Sequence, residues 1–79
     1  MAQNGSHWLP RLPRVSGSEA VRALERLGFA LVRQRGSHII MRRGASGCSV
    51  SNHREIKTGT LAGALRQAGV SVEKFTAEL

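Results

Sequence analysis

Aspartate and tyrosine are absent from this 79-residue chain, and there are only one cysteine, two prolines and three aromatic residues. Each shortage removes a class of chemistry. Cys48 has no second cysteine to pair with and no soft ligand beside it, so neither an internal disulfide nor a thiolate metal site is available. Five scattered glutamates provide no paired carboxylates for two-acid hydrolysis. The three histidines and Cys48 are not spaced as a zinc site, and the glycines match neither a P-loop nor a dinucleotide-binding fingerprint. No metal and no cofactor are therefore expected. Ser37 precedes His38, but neighbours along a strand point to opposite faces, which removes a Ser-His catalytic pair. No apolar run approaches the roughly 20 residues of a membrane span, and the first residues lack an apolar signal segment. Together with the lone thiol, this suggests a reducing, cytoplasmic location and no membrane partner.

What the chain does contain is positive charge. Twelve Lys and Arg, ten of them Arg, stand against five Glu and give a net charge of +7. Arginine's planar fork grips phosphate or carboxylate at two points, so the bias suits RNA, DNA or an acidic protein surface. The charge is also uneven. Between Arg33 and Lys57 lie six cations (Arg33, Arg35, Arg42, Arg43, Arg54 and Lys57) and a single acid, Glu55. Like charges held close repel one another, and an anionic partner would relieve that repulsion.

The chain is long enough for one domain with a small core of mainly Leu, Val, Ile and Ala. Residues 1–17 hold both prolines and show neither helical nor strand periodicity, which reads as a flexible N-terminal tail before a domain over 18–79. Within the tail, Gly5, Ser6 and His7 fit a cloning remnant, and Trp8 and Leu9 could fold back onto the domain. Ser18 is a suitable N-cap, and Ala20, Leu24 and Leu27 recur at helical steps until Gly28 ends the helix. Strands are expected over 29–34 and 37–42, paired as a hairpin through Gly36. A turn over 44–47 should follow, then a short third strand over 48–52. Leu61, Ala64, Leu65 and Ala68 form the stripe of a second helix, capped by Thr58 or Thr60 and closed by Gly69. Gly63 within it marks either a close packing contact or a tolerated defect. A last helical turn fits 71–79. The expected fold class is α+β: helix, three-stranded antiparallel sheet, helix. With the helices on one face and the other face open, this is the arrangement of double-stranded-RNA-binding domains.

His38 enters the second strand between arginines, and an imidazole can give or take a proton near neutral pH. On the open face it would sit where an RNA phosphate would sit. A base that removes a 2′-hydroxyl proton, with cations to hold the phosphorane charge, cleaves RNA without metal and leaves a 2′,3′-cyclic phosphate. The same residue could equally fill a half-buried strand position. His53, between Asn52 and Arg54, offers a second imidazole that could be the general acid, a phosphate ligand or a solvated loop residue.

Three stretches, ALERLGFALVRQRGSHIIM, VSNHREIKTGTL and LRQAGVSVEKF, bring the segment from Arg14 to Phe75 into resemblance with the HicA family of toxin mRNA interferases, the small basic partners of HicB antitoxins. The resemblance implies a double-stranded-RNA-binding-like fold, cleavage of mRNA, His38 as the catalytic residue and Gly36 as the point of close backbone approach. Ser37, Arg33, Arg35, Arg42, His53, Arg54 and Lys57 complete the expected RNA-binding set. Ser51 departs from the family, which often has proline there. The expected partners are mRNA and a HicB-like antitoxin that covers the basic face with acidic residues. The alternative is a non-catalytic module that binds RNA or a protein through that same face.

Overall fold

A computed structural model describes residues 12–79. Helix α1 (Gly17–Arg26) is followed by strands β1 (Ala30–Arg35), β2 (His38–Arg43) and β3 (Ser46–Ser51), then helices α2 (Thr58–Ala68) and α3 (Val72–Ala77). The strands form one antiparallel sheet in the order β1-β2-β3. Alternation along β2 and β3 sends Ile39, Met41, Cys48 and Val50 to one face, where all four are buried under the helices. The opposite face is open. The α+β, double-stranded-RNA-binding-like architecture expected from the sequence is the one found.

Both hairpins turn in two residues, Gly36-Ser37 and Gly44-Ala45, and each glycine has a positive φ while the residue after it does not. That sign pattern is the II′ turn, which matches the twist of paired strands and demands glycine at its first central position. The second turn is tighter than the four residues expected over 44–47. Ser46 and Gly47 belong to β3, opposite Arg43 and Arg42.

The start of the domain also differs from the sequence reading. The N-cap of α1 is Ser16, not Ser18: its hydroxyl accepts the Glu19 amide, and the Glu19 carboxylate accepts the Ser16 amide in return. Val15 is buried in the core and its carbonyl accepts the Ile56 amide at 2.8 Å. Residues 15–17 are thus part of the folded unit, although they show no periodicity of their own. Leu12 packs against the core and Arg14 pairs with Glu55, so the described part of the tail is engaged as well, while the readings of Gly5-Ser6-His7, Trp8 and Leu9 concern residues outside those described. For α2 the cap is Lys57, which makes no side-chain capping bond, so neither Thr58 nor Thr60 has that role. Gly63 has nothing within 4 Å of the place a Cβ would occupy, which makes it the tolerated defect.

Leu24, Met41, Leu61, Leu65 and Phe75 fill the centre of the core. Phe75 comes from α3, a helix of six residues that is too short to hold itself. Ser71 caps it by accepting the Lys74 amide, and burial of the Phe75 ring, worth about 1.5–3 kcal/mol, fixes it to the rest. Arg43 serves the fold as well. Its guanidinium donates to the Leu27 carbonyl at 2.7 Å and lies 4.7 Å from the Phe29 ring centroid, locking the end of β2 to the α1–β1 connection.

Candidate nucleic-acid interface

The open face of the sheet is built by register. His38 stands opposite Arg35 on β1 and Ser51 on β3; Ile40 stands opposite Arg33 and Ser49; Arg42 stands opposite Ala30 and Gly47. Since Ile39 and Met41 point into the core, His38, Ile40 and Arg42 point away from it, and their partners do the same. His38, Arg33, Arg35 and Arg42 are all exposed. Directly opposed residues lie about 4.5–5.5 Å apart at Cβ, so the His38 ring shares its row with the Arg35 guanidinium on one side and the Ser51 hydroxyl on the other. An irregularity between Leu31 and Arg33 leaves Val32 as an extra residue. With Arg33, Ile40 and Arg42, Val32 lines a shallow depression beside the histidine row.

This face is electrostatically unbalanced. The ion pair found among the described residues is Arg14 with Glu55 at 3.4 Å, an exposed contact of small energetic value. It engages the single acid of the basic segment, and no carboxylate reaches Arg33, Arg35 or Arg42 among the described residues. Arg43, which sequence counted with this cluster, points to the helix side and is engaged by Leu27 and Phe29.

Backbone hydrogen bonds bring the second histidine segment to the first. The Asn52 amide donates to the Ser37 carbonyl at 2.6 Å, joining the residues that immediately precede His53 and His38. The His53 carbonyl in turn accepts the Gly17 amide at 2.8 Å, so the first residue of α1 fixes the chain leaving β3. Gly17 approaches so closely that a Cβ there would stand 2.6 Å from both the Ser51 carbonyl oxygen and Asn52 Cα. Three segments therefore meet here: 16–17, 36–38 and 51–53.

His53, Arg54 and Lys57 are exposed, like Gly36 and Ser37. His53 and Lys57 line a cleft with Ser51, Glu55, Ile56 and Thr60 that adjoins the histidine row through Ser51, and the Glu55 carboxylate there is paired with Arg14. Of the residues expected to bind RNA, Arg33, Arg35 and Arg42 share the face of His38, Gly36 and Ser37 form the turn before it, and His53 and Lys57 share the adjoining cleft. Arg54 lies in the bend between them. Gly17 and Asn52 hold this arrangement and went unnoticed in the sequence. Gly17 sits in a Ser-Gly-Ser stretch that looks like linker, and an amide that bonds across the fold leaves no trace in residue type. Among the described residues, no three His, Cys or Glu side chains come together as a metal-binding group.

The family model for the HicA toxin of bacterial toxin-antitoxin systems matches residues 17–70. No curated protein matches the chain. The matched span runs from Gly17, at the base of the site, through both hairpins and α2 to Val70.

Proposed function

Because this chain belongs to the HicA toxin family, we propose that it is an mRNA interferase: a metal-independent endoribonuclease whose base is His38, held in check by a HicB-type antitoxin. The observation that carries the reading is the exposed His38 ring, in one row with Arg35 and Ser51 on the uncovered sheet face. An RNA strand laid on this face brings its phosphates to Arg33, Arg35 and Arg42. Gly36 and Ser37, without bulky side chains, let the backbone approach His38 from the turn. His38 removes the proton of a 2′-hydroxyl, and that oxygen attacks the adjacent phosphorus. The bond from phosphorus to the 5′-oxygen of the next nucleotide breaks, giving a 2′,3′-cyclic phosphate and a 5′-hydroxyl. The leaving oxygen takes its proton from His53 or from water. Arginine side chains stabilise the charge that collects on the phosphorane oxygens. Arg54, Lys57 and His53 extend the anion-binding track past the end of β3.

An acidic antitoxin surface would neutralise this face by competing for the same guanidinium groups, and the cytoplasm, where mRNA is translated, is the place of action. The test is incubation of the purified chain with end-labelled RNA in excess EDTA. Cleavage into fragments with cyclic-phosphate ends is expected, and His38→Ala should lower the rate by about 10²-fold or more while retaining the fold. Stable retention of intact RNA would instead identify a binding module, and undiminished cleavage by folded His38→Ala would remove His38 as the base.

A further inference from the structure

Strand β1 is the most exposed element of the sheet. All six of its residues are exposed, whereas β3, the other edge strand, has none that is fully exposed. Two of the three large apolar side chains exposed among the described residues, Leu31 (45%) and Val32 (54%), are adjacent on it. Its inner edge pairs with β2, and its outer edge has no partner strand among the described residues. Arg35 and His38 flank a two-residue turn and so form the closing hydrogen-bonded pair of the hairpin, which directs the N–H and C=O of Gln34 to that outer edge.

Edges of this kind are commonly blunted by charge and by bulges, and β1 has both, in Arg33, Arg35 and the irregularity at Val32. Such blunting discriminates by sign. A second copy of this chain would bring its own Arg33 and Arg35 against these, which disfavours self-pairing. A strand with carboxylates on the open-face side meets them favourably. On the other side of β1, Gln34 and Leu31 pair with Ile39 and Met41 but remain uncovered, so an apolar side chain is favoured beside Leu31.

We propose that the free edge of β1 is a docking site for an extended segment of a protein partner, alternating acidic and apolar residues, which adds to the sheet as a fourth strand. The acidic positions lie beside Arg33 and Arg35 and the apolar ones beside Leu31. Backbone pairing gives affinity, and alternation gives register. The proposal rests on the antitoxin part of the reading above for the kind of partner, and is independent of whether His38 cleaves RNA. Exposed aliphatic groups favour a protein over RNA here, since a nucleic acid gains little from Leu31 and Val32 and cannot pair with a strand edge.

The test uses the full chain and a synthetic nonapeptide alternating Glu and Val, with hydrogen exchange read residue by residue. At saturating peptide the Gln34 amide should exchange at least tenfold more slowly. The same peptide with alternate amides N-methylated, which keeps its charge and side chains but loses the pairing edge, should give no protection. Leu31→Ser and Gln34→Pro should each weaken peptide binding by tenfold or more. The first leaves the backbone intact, so loss of fold in the proline variant does not remove the test. Equal protection by the methylated peptide, protection by neither peptide, or protection by a uridine decamer but not by the peptide would each overturn the proposal. RNA cleavage measured on the same preparations reports separately on the nuclease reading.

Discussion

Replacing Gly17 by alanine places a Cβ 2.6 Å from the Ser51 carbonyl oxygen and 2.6 Å from Asn52 Cα. Carbon contacts are comfortable at about 3.5 Å or more, so the backbone of α1 and that of the β3 exit must part by nearly an ångström. Neither neighbour is a flexible side-chain end. Gly17 is bonded through its amide to His53, and Asn52 through its amide to Ser37, so the displacement strains two main-chain hydrogen bonds. Overpacking of this order costs about 1–3 kcal/mol. The gain in helix propensity, about 1 kcal/mol at an interior position, is small at the first residue of a helix and does not reverse the sign. The same substitution at Gly63 meets nothing within 4 Å in the middle of α2, so the propensity gain of about 1 kcal/mol stands alone. Urea denaturation should show Gly17→Ala with a lower midpoint and Gly63→Ala with a higher one, at unchanged slope. In thermal melts each kcal/mol corresponds to about 4–8 °C for a domain of this size. Amide chemical shifts of Asn52 and His53 should move in the first variant and stay in place in the second. A Gly17→Ala protein as stable as its parent would refute the close-approach argument.

Three further outcomes are expected. Arg42→Ala should change stability by less than about 0.5 kcal/mol but weaken RNA binding, whereas Arg43→Ala should cost about 1–2 kcal/mol through the lost Leu27 bond and Phe29 contact; denaturation and filter binding separate the two. Ser16→Ala should cost about 1 kcal/mol. Its Glu19 partner has a carboxyl held below the usual 4.5 first by the Ser16 backbone amide, which alanine keeps, and then by the Ser16 hydroxyl; a lowered folded-state value means that this stabilisation is present above 4.5 and is lost as pH falls through the folded value, so with the amide bond retained the acid-side pH dependence of stability should be only slightly shallower in Ser16→Ala than in the parent. Burial raises the Cys48 thiol above its ordinary value of 9.0, so alkylation by iodoacetamide at pH 8 should be markedly slower in the native protein than in urea; equal rates would contradict its burial.

Order and type of the main elements were legible because each was announced by periodicity or by glycine. Ala20 and Leu24, and Leu61, Ala64, Leu65 and Ala68, recur at helical steps, and all six are buried. Alternation in CSVS announced the faces of β3, whereas the continuous apolar run Ile39-Ile40-Met41 left the side of His38 open until burial of Ile39 and Met41 decided it. The family-like spacing of GSH and SNH pointed to the face proposed above as the site. Boundaries were less legible. Ser16 and Ser18 are equivalent as cap residues by type, and only Glu19 at the third position after Ser16 distinguishes them. Two-residue turns at Gly36 and Gly44 fixed strand ends that composition blurred.

By itself, the sequence determined which residues alternate, which recur every three or four positions and how much positive charge the segment from Arg33 to Lys57 holds, because these are local or additive properties. It also determined that a histidine would follow a glycine turn. Tertiary structure decided what depends on segments far apart in the chain: that Arg43 serves Phe29 rather than the open face, that Gly17 is pressed against Ser51 and Asn52, and that the Ser37–Asn52 bond joins the two histidine segments. The same holds for the nakedness of β1, since whether an edge strand is covered depends on where the helices lie, and with α2 packed on β3 and α1 on the sheet beside it the inner-face residues of β2 and β3 are buried while every residue of β1 stays exposed. Contacts of that kind are selected by the packing of the whole core, and no single segment carries the information that specifies them.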